Sequence, residues 1–289
     1  MNLKKLLPIL LACAVLPGHA ETEAPANAGK SYVLVSENPE RPVGLETTIS
    51  DVMSMENGKI SMGTPQGDFE GNMEMKTTKV TETKNESESK IIAKVTRSET
   101  LQKMTMNGQE MPQPPQMLPL VGMPLVLTLK DGEWSGVRED GGEFNEAEQA
   151  ELSNVERSVS GIEDKNIYGT EPRKPGDTWT VDAKDMAMVD AADDVNGSVK
   201  MSFDKVGEHE GTECAFLTGK IEMSGSAPGG TEADGTMSLN GTFKIIRSLK
   251  HQVDLVRNMD GTMKIEMKTP AGAMKMSGPT VMKRTVEVK

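Results

Sequence analysis

Apolar and polar residues alternate with a period of two along most of this chain, which is the signature of strands with one face buried and one in water. The alternation is cleanest near the C-terminus. There Met263, Ile265 and Met267 are interleaved with Thr262, Lys264, Glu266 and Lys268. Earlier runs repeat it: Val199, Met201 and Phe203; Ala215, Leu217, Ile221 and Met223; Met237, Leu239, Phe243 and Ile245. Residues 69–106 predict two long strands around Lys84-Asn85-Glu86, with polar faces of Thr, Lys and Glu. Tyr32-Val-Leu-Val predicts the first strand.

Turn chemistry punctuates the pattern. Asn57-Gly58 predicts a type I′ hairpin that pairs Glu56 with Lys59, Met55 with Ile60 and Met53 with Met62. Asp131-Gly132 closes a second hairpin whose first arm begins at Leu125, and Asp260-Gly261 reads as another turn. The segment 111–124 carries five prolines and cannot be a central strand, because proline donates no ladder hydrogen bond. Its Met and Leu residues predict that it drapes over apolar surface. One short helix is expected over 145–157. Asn145 and Glu148 form a capping box there, and Phe144, Ala147, Leu152 and Val155 mark one face.

The expected fold is therefore mainly β: antiparallel meander sheets in a curved half-barrel or two-sheet architecture, with that single helix. Residues 1–20 read as a signal peptide, 21–30 as a tether, 31–182 as an N-terminal β-rich half, 183–196 as an acidic join, and 197–289 as a C-terminal meander. In the signal, Lys4 and Lys5 precede a short apolar run and a Gly-His-Ala exit. That predicts export to the periplasm or beyond. Leu10-Leu11-Ala12-Cys13 resembles a lipobox, but the apolar run continues past Cys13, which favours cleavage after Ala20 over an outer-membrane lipid anchor. No later stretch reaches the ~18–20 apolar residues of a membrane span.

Composition narrows the function. The chain has a formal charge of −12, and the two signal lysines are part of its positive count. An acidic surface disfavours nucleic acid and anionic headgroups as partners. With Cys13 in the signal, Cys214 stands alone in an apolar run, where a buried inert thiol is expected. Aromatics are scarce while methionines number 22. Met therefore takes over core filling, and its flexible thioether packs adaptably.

Catalytic signals are missing. His209 and His251 are the only histidines after the signal, and no nucleophile elbow, zinc-protease helix, P-loop or dinucleotide fingerprint occurs. Asp190, Asp193 and Asp194 lack EF-hand spacing and read as a solvated join. Trp134 and Trp179 are too few for a sugar platform, and Trp179 reads as a packing anchor. No residue is singled out as catalytic, cofactor-binding or metal-ligating.

Pro172-Arg-Lys-Pro-Gly-Asp-Thr-Trp-Thr-Val181, the strand Gly211-Thr-Glu-Cys-Ala-Phe-Leu217, and the Asp254 to Gly261 element together resemble a group of exported bacterial proteins of unknown function. The resemblance implies a β-rich curved sheet, loosely similar to the half-barrels of periplasmic lipoprotein carriers. It implies no activity and carries no catalytic residues over.

The leading expectation is non-enzymatic binding of an apolar or amphipathic ligand, such as a lipid, or of an envelope protein. The binding surface would be a Met-lined sheet face that leaves Met53, Met62, Met117 and Met123 accessible. A structural or assembly subunit with those residues in a closed core is the alternative. A soft-metal site is the third reading, because Met53/Met55, Met73/Met75, Met104/Met106, Met186/Met188 and Met274/Met276 are Met-x-Met pairs. On a strand, each pair projects two thioethers to one face, and thioethers favour Cu(I). That reading requires two pairs on neighbouring strands to face each other at an exposed edge.

Overall fold

The computed structural model describes residues 29–37, 41–64, 67–112, 116–117, 119–186, 195–226, 235–269 and 272–289. The described residues form one open antiparallel sheet of 13 strands. An N-terminal meander comprises β1 (Glu46–Thr64), β2 (Gly67–Ser87), β3 (Lys90–Met106), the short edge pieces β4 (Gln109–Pro112) and β5 (Gln116–Met117), β6 (Pro124–Lys130) and β7 (Glu133–Arg138). Two helices follow, α1 (Glu146–Ser160) and α2 (Ile162–Tyr168). A second meander contains β8 (Thr178–Asp182), β9 (Asn196–His209), β10 (Thr212–Ser226), β11 (Gly235–Ser248), β12 (Asp254–Thr269) and β13 (Gly272–Val288). The spatial order is β7-β6-β3-β2-β1-β13-β12-β11-β10-β9-β8, with β4 and β5 on β3. The first and last long strands thus pair at the centre and make the two expected halves one continuous sheet.

One face, here called inner, carries the helices and the segment around Tyr32. Two apolar cores form on it. The larger joins Tyr32, Leu34, Ile167, Tyr168, Ala183 and Met186 to inner-face residues of β8–β12, including Met201, Phe203, Leu217 and Phe243. The smaller packs Leu152 and Val155 of α1 on Ile91, Val95, Leu125 and Leu127. Leu120 is buried in this core, and Val121 and Met123 pack against it, so the C-terminal end of the proline-rich segment lies on apolar surface, while residues 113–115 and 118 lie outside the described residues.

The Asn145 capping box is formed, with Glu148 N–H donating to Asn145 Oδ1 at 2.9 Å and Asn145 N–H to Glu148 Oε2 at 2.8 Å. The helix runs to Ser160, beyond the expected end, and Gly161 (φ 72°) turns the chain directly into α2, which the sequence pattern did not suggest. Ala147 is exposed, while Glu151 joins the buried face.

Several strand ends differ from expectation. Residues 31–37 form no strand; Tyr32 makes an isolated bridge to Arg173. The β2–β3 turn falls at Glu88-Ser89, because Asn85 is drawn inward, donating Nδ2–H to the Pro42 carbonyl at 3.2 Å. Asn57-Gly58 is not a turn. β1 runs straight through it, and both its ladders shift register there: Met55 pairs with Met75 and Thr280, while Ile60 pairs with Gly71 and Met276. Asn57 alone takes the left-handed conformation (φ 55°), which makes a bulge that local turn propensity cannot convert to a hairpin against two long flanking ladders.

Asp260-Gly261 is likewise mid-strand. Gly261 faces Gly241, and a β-carbon on Gly261 would sit 2.6 Å from the Asn240 carbonyl oxygen. The pair is glycine because two backbones approach closely. Gly261→Ala is expected to cost about 1–3 kcal/mol through overpacking, read as a lower urea midpoint with an unchanged slope. An unaltered midpoint would contradict the close approach.

Candidate functional site

Register builds the site. The row Trp179–Met201–Gly219–Phe243–Met259–Met282–Met53–Thr77–Thr100 runs straight across from β8 to β3 on the inner face. Phe243 folds over Gly219, where a β-carbon would meet its ring at 2.4 Å. The three consecutive methionines Met259, Met282 and Met53 come next, with no ring to fill the space above them. From the opposite side, α2 offers Ile167 and the 3₁₀ turn after β8 leads into Met186, both buried. Between these layers lies a cavity of about 310 Å³, whose lining includes Met53, Met259, Met282, Phe243, Ile245, Ile167 and Met186.

The adjacent row changes character. It begins apolar with Phe203, Leu217 and Ile245, then continues as Arg257, Arg284, Asp51 and Lys79. Each of these charges is paired. Arg284 Nε–H donates to Asp51 Oδ1 at 2.6 Å, Arg257 Nη1–H to Glu163 of α2 at 3.0 Å, and Lys79 to Glu151 of α1. The helices are therefore latched to the sheet by ion pairs along one margin of the cavity. Among the described residues of that row, Lys79, Arg257 and Arg284 each pair with a carboxylate.

Beneath the latch is a network centred on the buried Arg247, Asp254 and Tyr168. Arg247 Nη1–H donates to Asp254 Oδ1 (2.6 Å), Nη2–H to Asp164 (2.9 Å) and Nε–H to the Leu34 carbonyl (2.8 Å). Arg257 donates two further bonds to Asp254 Oδ2, and the Tyr168 hydroxyl donates to the same carboxylate at 2.8 Å. The Arg247 guanidinium also lies 4.2 Å from the centre of the Tyr168 ring. Burial pushes the Asp254 pKa up, but Arg257 and Arg247 more than offset it and hold the carboxyl at about 2. Burial and then the Asp254 charge push the Tyr168 phenol well above its ordinary value, so it stays a donor.

The candidates from sequence are distributed as follows. Met53 lines the cavity; Met53, Met62 and Met123 are half-buried, and the Met117 side chain lies outside the described residues. Asp190, Asp193, Asp194, Met188 and Cys13 also lie outside them. Cys214 is buried, and burial raises its thiol pKa. Trp179 is an anchor, donating Nε1–H to the Ile167 carbonyl at 2.7 Å with the Arg173 guanidinium 3.9 Å from its ring centre. Of the Met-x-Met pairs, Met73/Met75 and Met104/Met106 fall on the neighbouring strands β2 and β3, where Met73 faces Met104. Among the described residues no three His, Cys, Asp or Glu side chains converge as a metal site, and no helix is long and apolar enough to cross a membrane.

The sequence reading did not single out Asp51, Lys79, Arg247, Arg257 or Arg284. All but Lys79, which is flanked by Thr77 and Thr81, had a signal: they occupy the same strand parity as apolar neighbours, as Arg257 does with Met259, and Asp51 with Met53.

No protein-family model matches the chain, and no curated protein does. Among solved structures it is similar to one described as showing lipid–protein interactions in lipovitellin, with 10% identity over 86% of this chain and a TM-score of 0.39. The chain spans 26% of the length of that protein. It is also similar to an outer membrane channel from Pseudomonas putida F1 (7% identity, 88% of this chain and 99% of that one, TM-score 0.24). A third is a β-barrel-like protein of a domain of unknown function from Brucella abortus (10% identity, 86% and 100% coverage, TM-score 0.18).

Proposed function

We propose that this chain is a non-enzymatic binding protein of the bacterial cell envelope that encloses the apolar part of a small amphipathic ligand between its Met-lined sheet and α2. The observation that carries the reading is the cavity of about 310 Å³, whose surface is mainly apolar, with Asp51, Thr77, Lys79, Arg257, Lys283 and Arg284 at its polar side. Binding pockets for small molecules begin at about this size and are largely apolar with a few polar groups. A dry apolar cavity of about 150 Å³ holds benzene, so this one suits a tail or ring system of about a dozen carbons. The three methionines on its floor adapt to tails of different shape, since each has an unbranched, flexible side chain. The signal-like first twenty residues support export, and the absence of catalytic motifs supports binding without chemistry.

Native mass spectrometry of the protein purified from its own envelope without detergent tests this. A co-purifying small lipid, or stoichiometric uptake of added 1-decanol, is the expected result. A bare chain that also refuses 1-decanol would overturn the proposal and favour a closed core with an assembly role.

A further inference from the structure

The methionines of β1–β4 form a second arrangement, away from the cavity and independent of the ligand proposed for it. Met111 on β4 faces Met104 on β3, Met104 faces Met73 on β2, and Met73 faces Gly58 on β1. Gly58 has no side chain, and the thioether of Met55 fills its place: a β-carbon there would come within 2.8 Å of the Met55 sulfur. The row is thus four thioethers long. Directly opposed side chains on an antiparallel pair have β-carbons about 4.5–5.5 Å apart, within easy reach for so flexible a side chain.

The row lies outside both described apolar cores. Met55 and Met73 are buried, yet neither belongs to either apolar core. The Met73 sulfur accepts a hydrogen bond from Gln102 Nε2–H at 3.2 Å, so it faces a polar partner rather than hydrocarbon alone. At the other end Met111 is 46% exposed, which gives an ion a way in from the edge strand. The comparable rows differ. Met259–Met282–Met53 lines the cavity, and Met62–Met274–Met267 is half-buried throughout.

We infer that Met73, Met104 and Met111, with Met55 in reserve, form a binding site for a soft monovalent cation, Cu(I) or Ag(I). The donor set is neutral and all thioether, which selects soft d¹⁰ ions, and no imidazole, thiolate or carboxylate cluster among the described residues would hold a harder one. The formal charge of −12 favours cation approach.

The test is a titration of protein carrying ¹³C-methyl methionine with Ag(I) in chloride-free buffer, followed by NMR, and repeated anaerobically with Cu(I). Saturation at one equivalent is expected, with shifts confined to the methyl signals of Met55, Met73, Met104 and Met111. Met73→Leu/Met104→Leu should weaken binding at least tenfold, and the exposed Met111→Leu should weaken it without any effect on folding. Met62→Leu/Met274→Leu should bind as the unaltered protein does. The site is overturned by an absence of saturable uptake, by unchanged affinity in both site variants, or by shifts centred on Met62, Met267 and Met274.

Discussion

Arg247→Ala is expected to destabilise the protein by about 3–5 kcal/mol, the largest effect of any single side-chain truncation on the inner face. Arg247 is completely buried, and its loss strands the Asp254 carboxylate in the core, with only Arg257 and Tyr168 to satisfy it. It also frees the Leu34 carbonyl and releases Asp164, so the segment around Leu34 and helix α2 lose their common tie. Tyr168→Phe removes only one hydrogen bond to a charged acceptor and should cost about 1.5–3 kcal/mol. Urea unfolding of the two variants gives the ranking, and an Arg247→Ala loss below that of Tyr168→Phe would mean the network is not what holds α2.

The same network sets the acid limit. The folded pKa of Asp254, about 2, lies below the ordinary carboxylate value of 3.8. Its contribution to stability is thus complete above about pH 4 and disappears as pH falls toward 2, a loss on the order of 2 kcal/mol from this group. In Asp254→Asn that acid-dependent step should be absent.

The three dipeptides read as turns show how far local sequence reaches. Asp131-Gly132 is a hairpin, with both residues at positive φ (53° and 88°), because only the short strands β6 and β7 flank it. Asn107-Gly108 and Glu210-Gly211 turn in the same way. Asn57-Gly58 has the better turn sequence and yet remains inside β1, since β2 and β13 each offer it a long ladder. Those partners are separated from it by distances along the chain that no window around Asn57 reveals. Gly261 misled for a related reason: a strand glycine can mark a turn or a backbone contact, and only the position of Gly241 decides between them.

Strand type, the polarity of each face and the capped helix were legible, because they follow from periodicity and from side chains within four residues of one another. The site was legible only by half. The Met parity of β12 and β13 announced an apolar face. The cavity, however, depends on Ile167 and Met186 arriving from outside the sheet. Charges such as Arg257 and Asp51 at apolar parity were a visible anomaly, and their partners Glu163 and Arg284 lie far away in sequence.

Met53→Trp/Met282→Trp is expected to weaken binding of a ten-carbon amphiphile at least tenfold while leaving the fold intact. The two positions face each other across β1 and β13 on the cavity floor, so their indoles would take up space the ligand tail needs. Filling an existing void differs from overpacking a dense core, where an added group forces strain, so the urea midpoint should hold or rise. Met62→Trp supplies the control, because it carries the same substitution on the same face of β1 but outside the cavity lining. Calorimetric titration of the three proteins with 1-decanol separates the cases. Loss confined to the double variant places the tail over Met53 and Met282. Equal loss in both variants would put the ligand on the open face around Met62, and equal retention would remove the cavity from the mechanism altogether.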